Sequence, residues 1–124
     1  INAERRRQPK SATSDLEKTR LRAALGALAW SAQQTCPHIA AGVSLLLSQV
    51  NSSTIETLIE TNKLIYKTKC QRKHKLIIHG GIGMHDTLIA GWADAAAQNR
   101  VDGKSTQGIF IGITSKKSAD RTAM

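Results

Sequence analysis

Leu21, Leu25, Leu28 and Ala32 recur at spacings of three and four, which puts them on one face of a helix. Ser14 and Asp15 suit its start as capping residues, and Glu17 suits the positive end of its dipole. Lys18, Arg20 and Arg22 fall off the stripe. The helix is expected to stop before Pro37, because the residue preceding a proline is pushed out of helical geometry. Pro37 itself fits the first turn of a second helix. Ile39, Val43, Leu46, Leu47 and Val50 form that helix's apolar face, and Ala40, Ala41 and Gly42 allow close approach to a neighbour. Asn51-Ser52-Ser53 interrupts the pattern. A third helix is predicted to follow, with Ser53 and Glu56 at the spacing of a capping box. Its inner face would carry Ile55, Leu58, Ile59, Ile65 and Tyr66, with Asn62 as a half-buried hydrogen bonder.

Beyond residue 75 the apolar positions form short runs typical of strands. Residues 76–79 and 88–93 read as the first two, separated by a glycine-rich loop over 80–86. Residues 109–113 read as the third, with a polar turn from Asn99 to Lys104 before it. Residues 115–124 carry no pattern, and no internal repeat occurs. The expectation is an α+β chain: three N-terminal helices followed by a small antiparallel sheet. Its divisions would be a basic flexible arm over 1–13, a helical region over 14–75, strands over 76–114 and a tail over 115–124.

The chain has 124 residues, enough for one small domain with a modest core. Only 3% are aromatic, so that core must be aliphatic. The formal charge of +9 favours polyanions, nucleic acid before anionic membrane. Arg5, Arg6 and Arg7 could touch phosphates or act as a solvated connector. Lys63, Lys67, Lys69, Arg72, Lys73 and Lys75 form the densest basic cluster, and there too phosphate contact and a solvated face are both open. Cations at that helix end also suit the dipole. Cys36 and Cys70 have neither zinc-site nor disulfide-framework spacing, which points to a reduced, intracellular setting, cytoplasm or nucleus. No apolar run approaches membrane-spanning length. The start at Ile1, without an initiator Met, suggests a piece of something longer. The sequon at Asn51 is discounted for want of a secretory signal.

Candidate chemistry is sparse. Gly80-Gly81-x-Gly83 lacks the Lys-Ser/Thr of a phosphate-binding P-loop and reads better as a hairpin turn. His79, His85 and Asp86 fit no zinc spacing. Cys36 has no activating partner nearby and reads as a small residue between helices. Asp94 remains. By pattern alone it is one acid near the end of a strand, a turn residue or a solvated carboxylate.

The stretch around it carries a resemblance. Asp94, Ala95, Asn99, Arg100, Asp102, Ser105, Thr106 and Gly108 resemble the start of the ribonuclease H domain in copia-type LTR retrotransposon polyproteins. The Trp that often follows the family's Asp is here Ala97. Residues 21–28 are similar to the segment after the reverse transcriptase palm. Thr35-Cys36-Pro37-His38-Ile39-Ala40 resembles the family's Thr-Arg-Pro-Asp-Ile-Ala, with Cys36 and His38 as departures. The third helix matches the basic helix between polymerase and ribonuclease H. The resemblance spans roughly residues 15–114.

The resemblance implies a thumb or connection region of a reverse transcriptase running into the first strands of its ribonuclease H domain. The helices would grip an RNA–DNA hybrid or duplex backbone, and Asp94 would be the first Mg²⁺-binding carboxylate of a two-metal nuclease. The family's further carboxylates lie later in its chain. Here only Asp102 and Asp120 follow Asp94, with no Glu, and Asp102 is assigned to turn geometry. The chain alone is therefore expected neither to cleave RNA nor to hold Mg²⁺ tightly. The polymerase's paired aspartates would lie upstream. The implied partners are nucleic acid and the remainder of the polyprotein. Exposed strand edges and apolar faces leave the piece open to self-association. The alternative is a small basic nucleic-acid-binding module without catalysis. A third reading is a purely structural basic protein.

Overall fold

A computed structural model describes residues 1–73, 77, 80–100 and 102–122, with side chains described up to residue 119. The chain divides into two compact units, Ile1–Leu76 and Ile77–Met124. The first is helical and the second is built on an antiparallel hairpin, so the architecture is α+β.

In the first unit a short helix, α1 (Ala3–Arg6), precedes α2 (Asp15–Gln34), α3 (Ala40–Ser48) and α4 (Ile55–Cys70). Ser14 caps α2 by the reciprocal arrangement: its hydroxyl accepts the Glu17 N–H, and the Glu17 carboxylate accepts the Ser14 N–H. A 3₁₀ turn, Pro37–Ile39, leads into α3, so Pro37 occupies the first turn as expected. Leu21, Leu25, Leu28 and Ala32 of α2 meet Ile39, Val43, Leu46 and Val50 in one buried cluster. Leu58, Leu64 and Ile65 of α4 pack on it, as does Cys36.

Several local expectations shift. Leu47 and Tyr66 are exposed, and so is Asn62, which is not the half-buried hydrogen bonder expected. The inner face of α4 carries Thr57 and Thr61 instead. Each hydroxyl has a partner: Thr61 Oγ1 donates to the Thr57 carbonyl at 2.8 Å and Thr57 Oγ1 donates to Gln49 Oε1 at 3.4 Å. The capping box of α4 starts one residue late, with Thr54 as cap and Thr57 as its reciprocal partner. Ser53 is displaced from that role because it is buried and its hydroxyl bonds the Thr13 hydroxyl at 2.7 Å.

That bond belongs to a tie across the unit. Thr13 N–H donates to the Ser53 carbonyl, Ile55 N–H to the Ser11 carbonyl and Glu56 N–H to the Pro9 carbonyl, around an antiparallel bridge between Ala12 and Thr54. The segment expected as a flexible arm is thus a short helix and a strap held to the start of α4. The backbone groups there satisfy one another across the chain, which charge patterning does not reveal.

In the second unit β1 (Thr87–Ala96) pairs antiparallel with β2 (Thr106–Ser115), and α5 (Lys116–Thr122) follows. Both strands are longer than the apolar runs that announced them, because pairing continues through Asp94–Gly108 to Ala96–Thr106. The strand expected over 76–79 falls largely on residues outside those described; Ile77 is irregular. The glycine-rich segment is irregular too, with Gly81 at φ 87°, and ends in a 3₁₀ turn, Met84–Asp86. Among the described residues no helix is long and apolar enough to cross a membrane.

Candidate nucleic-acid interface and the Asp94 hairpin

Charge is unequally divided. The helical unit holds thirteen Lys and Arg against five Asp and Glu, whereas Ile77–Met124 holds five against four. Arg5, however, is committed to the scaffold. Its Nη2 donates to Glu17 Oε2 at 2.8 Å and to the Ala12 carbonyl at 3.2 Å, and its Nε donates to Glu17 Oε1 at 3.3 Å. This fork-on-carboxylate geometry is stronger than a single charged contact. The bond from Arg5, with that from the Ser14 N–H, pulls the Glu17 carboxyl from 4.5 down to about 2. Glu17 in turn raises the Arg5 guanidinium. Arg6 and Arg7 stay exposed on the surface.

Lys18 and Arg22, one turn apart on α2, also serve the scaffold. Lys18 Nζ donates to the Asn51 carbonyl at 3.3 Å and Arg22 Nη2 to Asn51 Oδ1 at 3.4 Å. The sequence hint was Asn51, a polar break opposite two cations of one helical face.

On α4, Lys63 pairs with Glu60 at 2.7 Å in an exposed i, i+3 contact. Lys67 lies on the same side of the helix. Both border a groove between α3 and α4, floored by Gly42, Leu45, Leu46 and Leu64 and about 340 Å³ in volume. Gly42 faces α4 here, since a Cβ on it would sit 3.5 Å from the Leu64 methyls. Lys69 projects roughly 200° around the axis from Lys67, at about 100° per residue. Arg72 and Lys73 lie in the turn after the helix and are exposed. The cations therefore wrap the end of α4 and do not form a single stripe. Lys75 lies outside the described residues. Tyr66 and Cys70 occupy a further side of α4, and a hydrogen bond to Cys70 raises the Tyr66 hydroxyl pKa.

Asp94 stands in β1 opposite Gly108, with its side chain exposed. Alternation puts it on the same hairpin face as Trp92 and Phe110, whose rings are tilted with centroids 5.6 Å apart. The pairing of these two aromatics across the strands was not anticipated; the equal offsets of Trp92 and Phe110 from the turn were the available signal.

The turn residues have defined tasks. Gln98, at φ 51°, donates its N–H to Ser105 Oγ at 3.2 Å, and Asn99 Nδ2 donates to Thr106 Oγ1. Asp102 Oδ1 accepts the Lys104 N–H at 3.2 Å, and its carboxylate lies between Arg100 at 3.8 Å and Lys104 at 3.7 Å. Gly103 takes φ 72°, which suits glycine. The Asp94 carboxylate has no hydrogen bond or ion pair among the described residues, the backbone alone being paired in the ladder.

Also among the described residues, no three His, Cys, Asp or Glu side chains gather in a metal-holding group. Asp94 offers one oxygen donor group, and a Mg²⁺ ion needs several. His85 and Asp86 sit in the 3₁₀ turn, where the His85 carbonyl accepts from Lys116 Nζ at 2.9 Å. His79 lies outside the described residues. Comparison with protein-family models, curated proteins and solved structures finds no match to this chain.

Proposed function

We propose that the chain is a segment of a copia-type retrotransposon reverse transcriptase/ribonuclease H, contributing backbone contacts to an RNA–DNA hybrid and one metal-binding carboxylate. The observation that carries the reading is the division of labour in the Asp94–Gly108 block. Asn99, Asp102, Ser105 and Thr106 each bond within the turn, and Arg100 faces Asp102, while the Asp94 carboxylate has no partner among the described residues. A carboxylate with no structural task, carried on a paired strand, is free to serve as a metal ligand. Mg²⁺ would supply Lewis-acid activation of the phosphodiester. The described residues do not complete its coordination, so further ligands would come from other parts of the polyprotein.

For hybrid binding, Arg6, Arg7, Lys67, Lys69, Arg72 and Lys73 are the exposed, unpaired cations of the two basic clusters among the described residues, with Lys63 available once released from Glu60. Phosphate contacts of this kind are sequence-independent and salt-sensitive. If the four cations from Lys67 to Lys73 each meet a phosphate, log affinity for a hybrid falls against log salt with a slope of about −3 to −4. Lys69→Ala shallows it by about one. A flat response removes the backbone-gripping role.

The second reading, a non-catalytic binding module, is favoured by the lack, among the described residues, of any group of three His, Cys, Asp or Glu side chains that could hold a metal. The two part at Asp94→Asn in an extended reading frame. Loss of Mg²⁺-dependent hybrid cleavage with unchanged binding supports the nuclease segment. A longer protein that binds but never cleaves, with or without Asp94, supports the module.

A further inference from the structure

The two faces of the hairpin differ in kind. One carries Leu88, Ala90, Trp92, Asp94, Phe110 and Thr114, and Ala90, Gly112 and Thr114 on it are partly covered. The other presents Ile89, Ile109, Ile111 and Ile113, each between 65% and 79% exposed, with no charged residue among them. This bare face has a shape. Along β2 the three isoleucines make a ridge. Along β1 their partners are Ala93 opposite Ile109 and Gly91 opposite Ile111, which make a trough, and only Ile89 opposite Ile113 is bulky on both sides.

We propose that this face closes on a second copy of the chain, ridge into trough. A two-fold axis parallel to the strands lays each copy's β2 over the other's β1. Ile111 of one copy then enters above Gly91 of the other, and the reverse contact forms by symmetry, as an isologous interface requires. The face is thus its own complement, which selects a second copy over an unrelated partner. Its area is sufficient. The four isoleucines leave roughly 500 Å² of apolar surface open, so two faces bury about 1,000 Å², the lower bound for a specific interface. The near-balance of charge over Ile77–Met124 adds little repulsion. The inference does not rest on the nucleic-acid reading, and its test contains no nucleic acid.

The test is sedimentation equilibrium of the full chain against concentration. The expected result is a monomer–dimer equilibrium that stops at the dimer. Gly91→Val is the discriminating variant. Within one copy its Cβ meets only the Phe110 carbonyl oxygen, at 3.9 Å, and valine favours strands, so the hairpin is preserved. The valine fills the trough, and dimer affinity should fall about tenfold or more. Ile111→Lys should abolish the dimer, and Thr114→Lys, on the other face, should leave it intact. Strand amide signals in NMR spectra of each variant verify that the hairpin is retained. A chain monomeric at every concentration overturns the proposal, as does growth beyond the dimer. So does tighter association of Gly91→Val, which would indicate unshaped apolar stickiness, or a dimer that survives Ile111→Lys, which would indicate pairing at the strand edges.

Discussion

Glu17 is the residue on which most of the N-terminal geometry converges. It completes the cap of α2 and anchors Arg5, whose other contact reaches the strap at Ala12. Its folded-state pKa, about 2, lies below its usual 4.5. Such a depressed carboxyl contributes stability that is present above the unfolded value and is lost as pH falls from 4.5 towards 2. Urea midpoints of the helical signal should therefore drop through that window in the wild type. In Glu17→Gln they should start lower and change less across it. An identical acid profile in both would show that other carboxyls govern the transition. Thr57 is the corresponding residue on α4. Thr57→Val keeps the shape but removes the Thr54 N–H partner and the Gln49 bond, at a cost of about 1–2 kcal/mol. Glu56→Gln, at the position that capping-box spacing had singled out, should change stability by less than about 0.5 kcal/mol in the same denaturation measurement.

Helices α2, α3 and α4 were legible in the sequence because each repeats its apolar residues at helical spacing and each has a chemical stop or start: Ser14 and Glu17, Pro37, and the polar run at Asn51. The offset of the α4 cap was not legible. Ser53 and Thr54 are both good caps, and the choice between them was made forty residues away by Thr13. Threonines on the inner face of α4 were missed for a related reason, since Thr61 satisfies its hydroxyl on its own helix and becomes compatible with burial. The hairpin announced itself through its isoleucines, but its outer pairs are Ala, Gly, Gln and Thr, which carry weak strand signals. α5 has no apolar stripe, and its one sequence cue is Ser115, whose hydroxyl accepts the Ser118 N–H. At the candidate site, Asp102 was legible as a turn residue, whereas the engagement of Arg5 with Glu17 needed tertiary structure.

At the scale of the whole molecule, burial is concentrated in Ile1–Leu76, which supplies every fully buried large side chain among the described residues: Leu21, Leu25 and Ile39 in the aliphatic cluster, and Ile55 at the start of α4. A two-stranded sheet alone is marginal in water. Hydrogen exchange should accordingly find the slowest amides in α2, α3 and α4, and much faster exchange in β1 and β2 at low protein concentration. Equal protection would contradict this distribution of stability. The strap between residues 9–13 and 53–56 has a kinetic consequence. It joins segments 40 residues apart, as at Thr13 and Ser53, so closing it costs loop entropy that the α2–α3 contacts do not demand. It should form after the folding transition state. Thr13→Ala would then leave the refolding rate nearly unchanged and accelerate unfolding, so that the strap sets how long the folded helices last once formed.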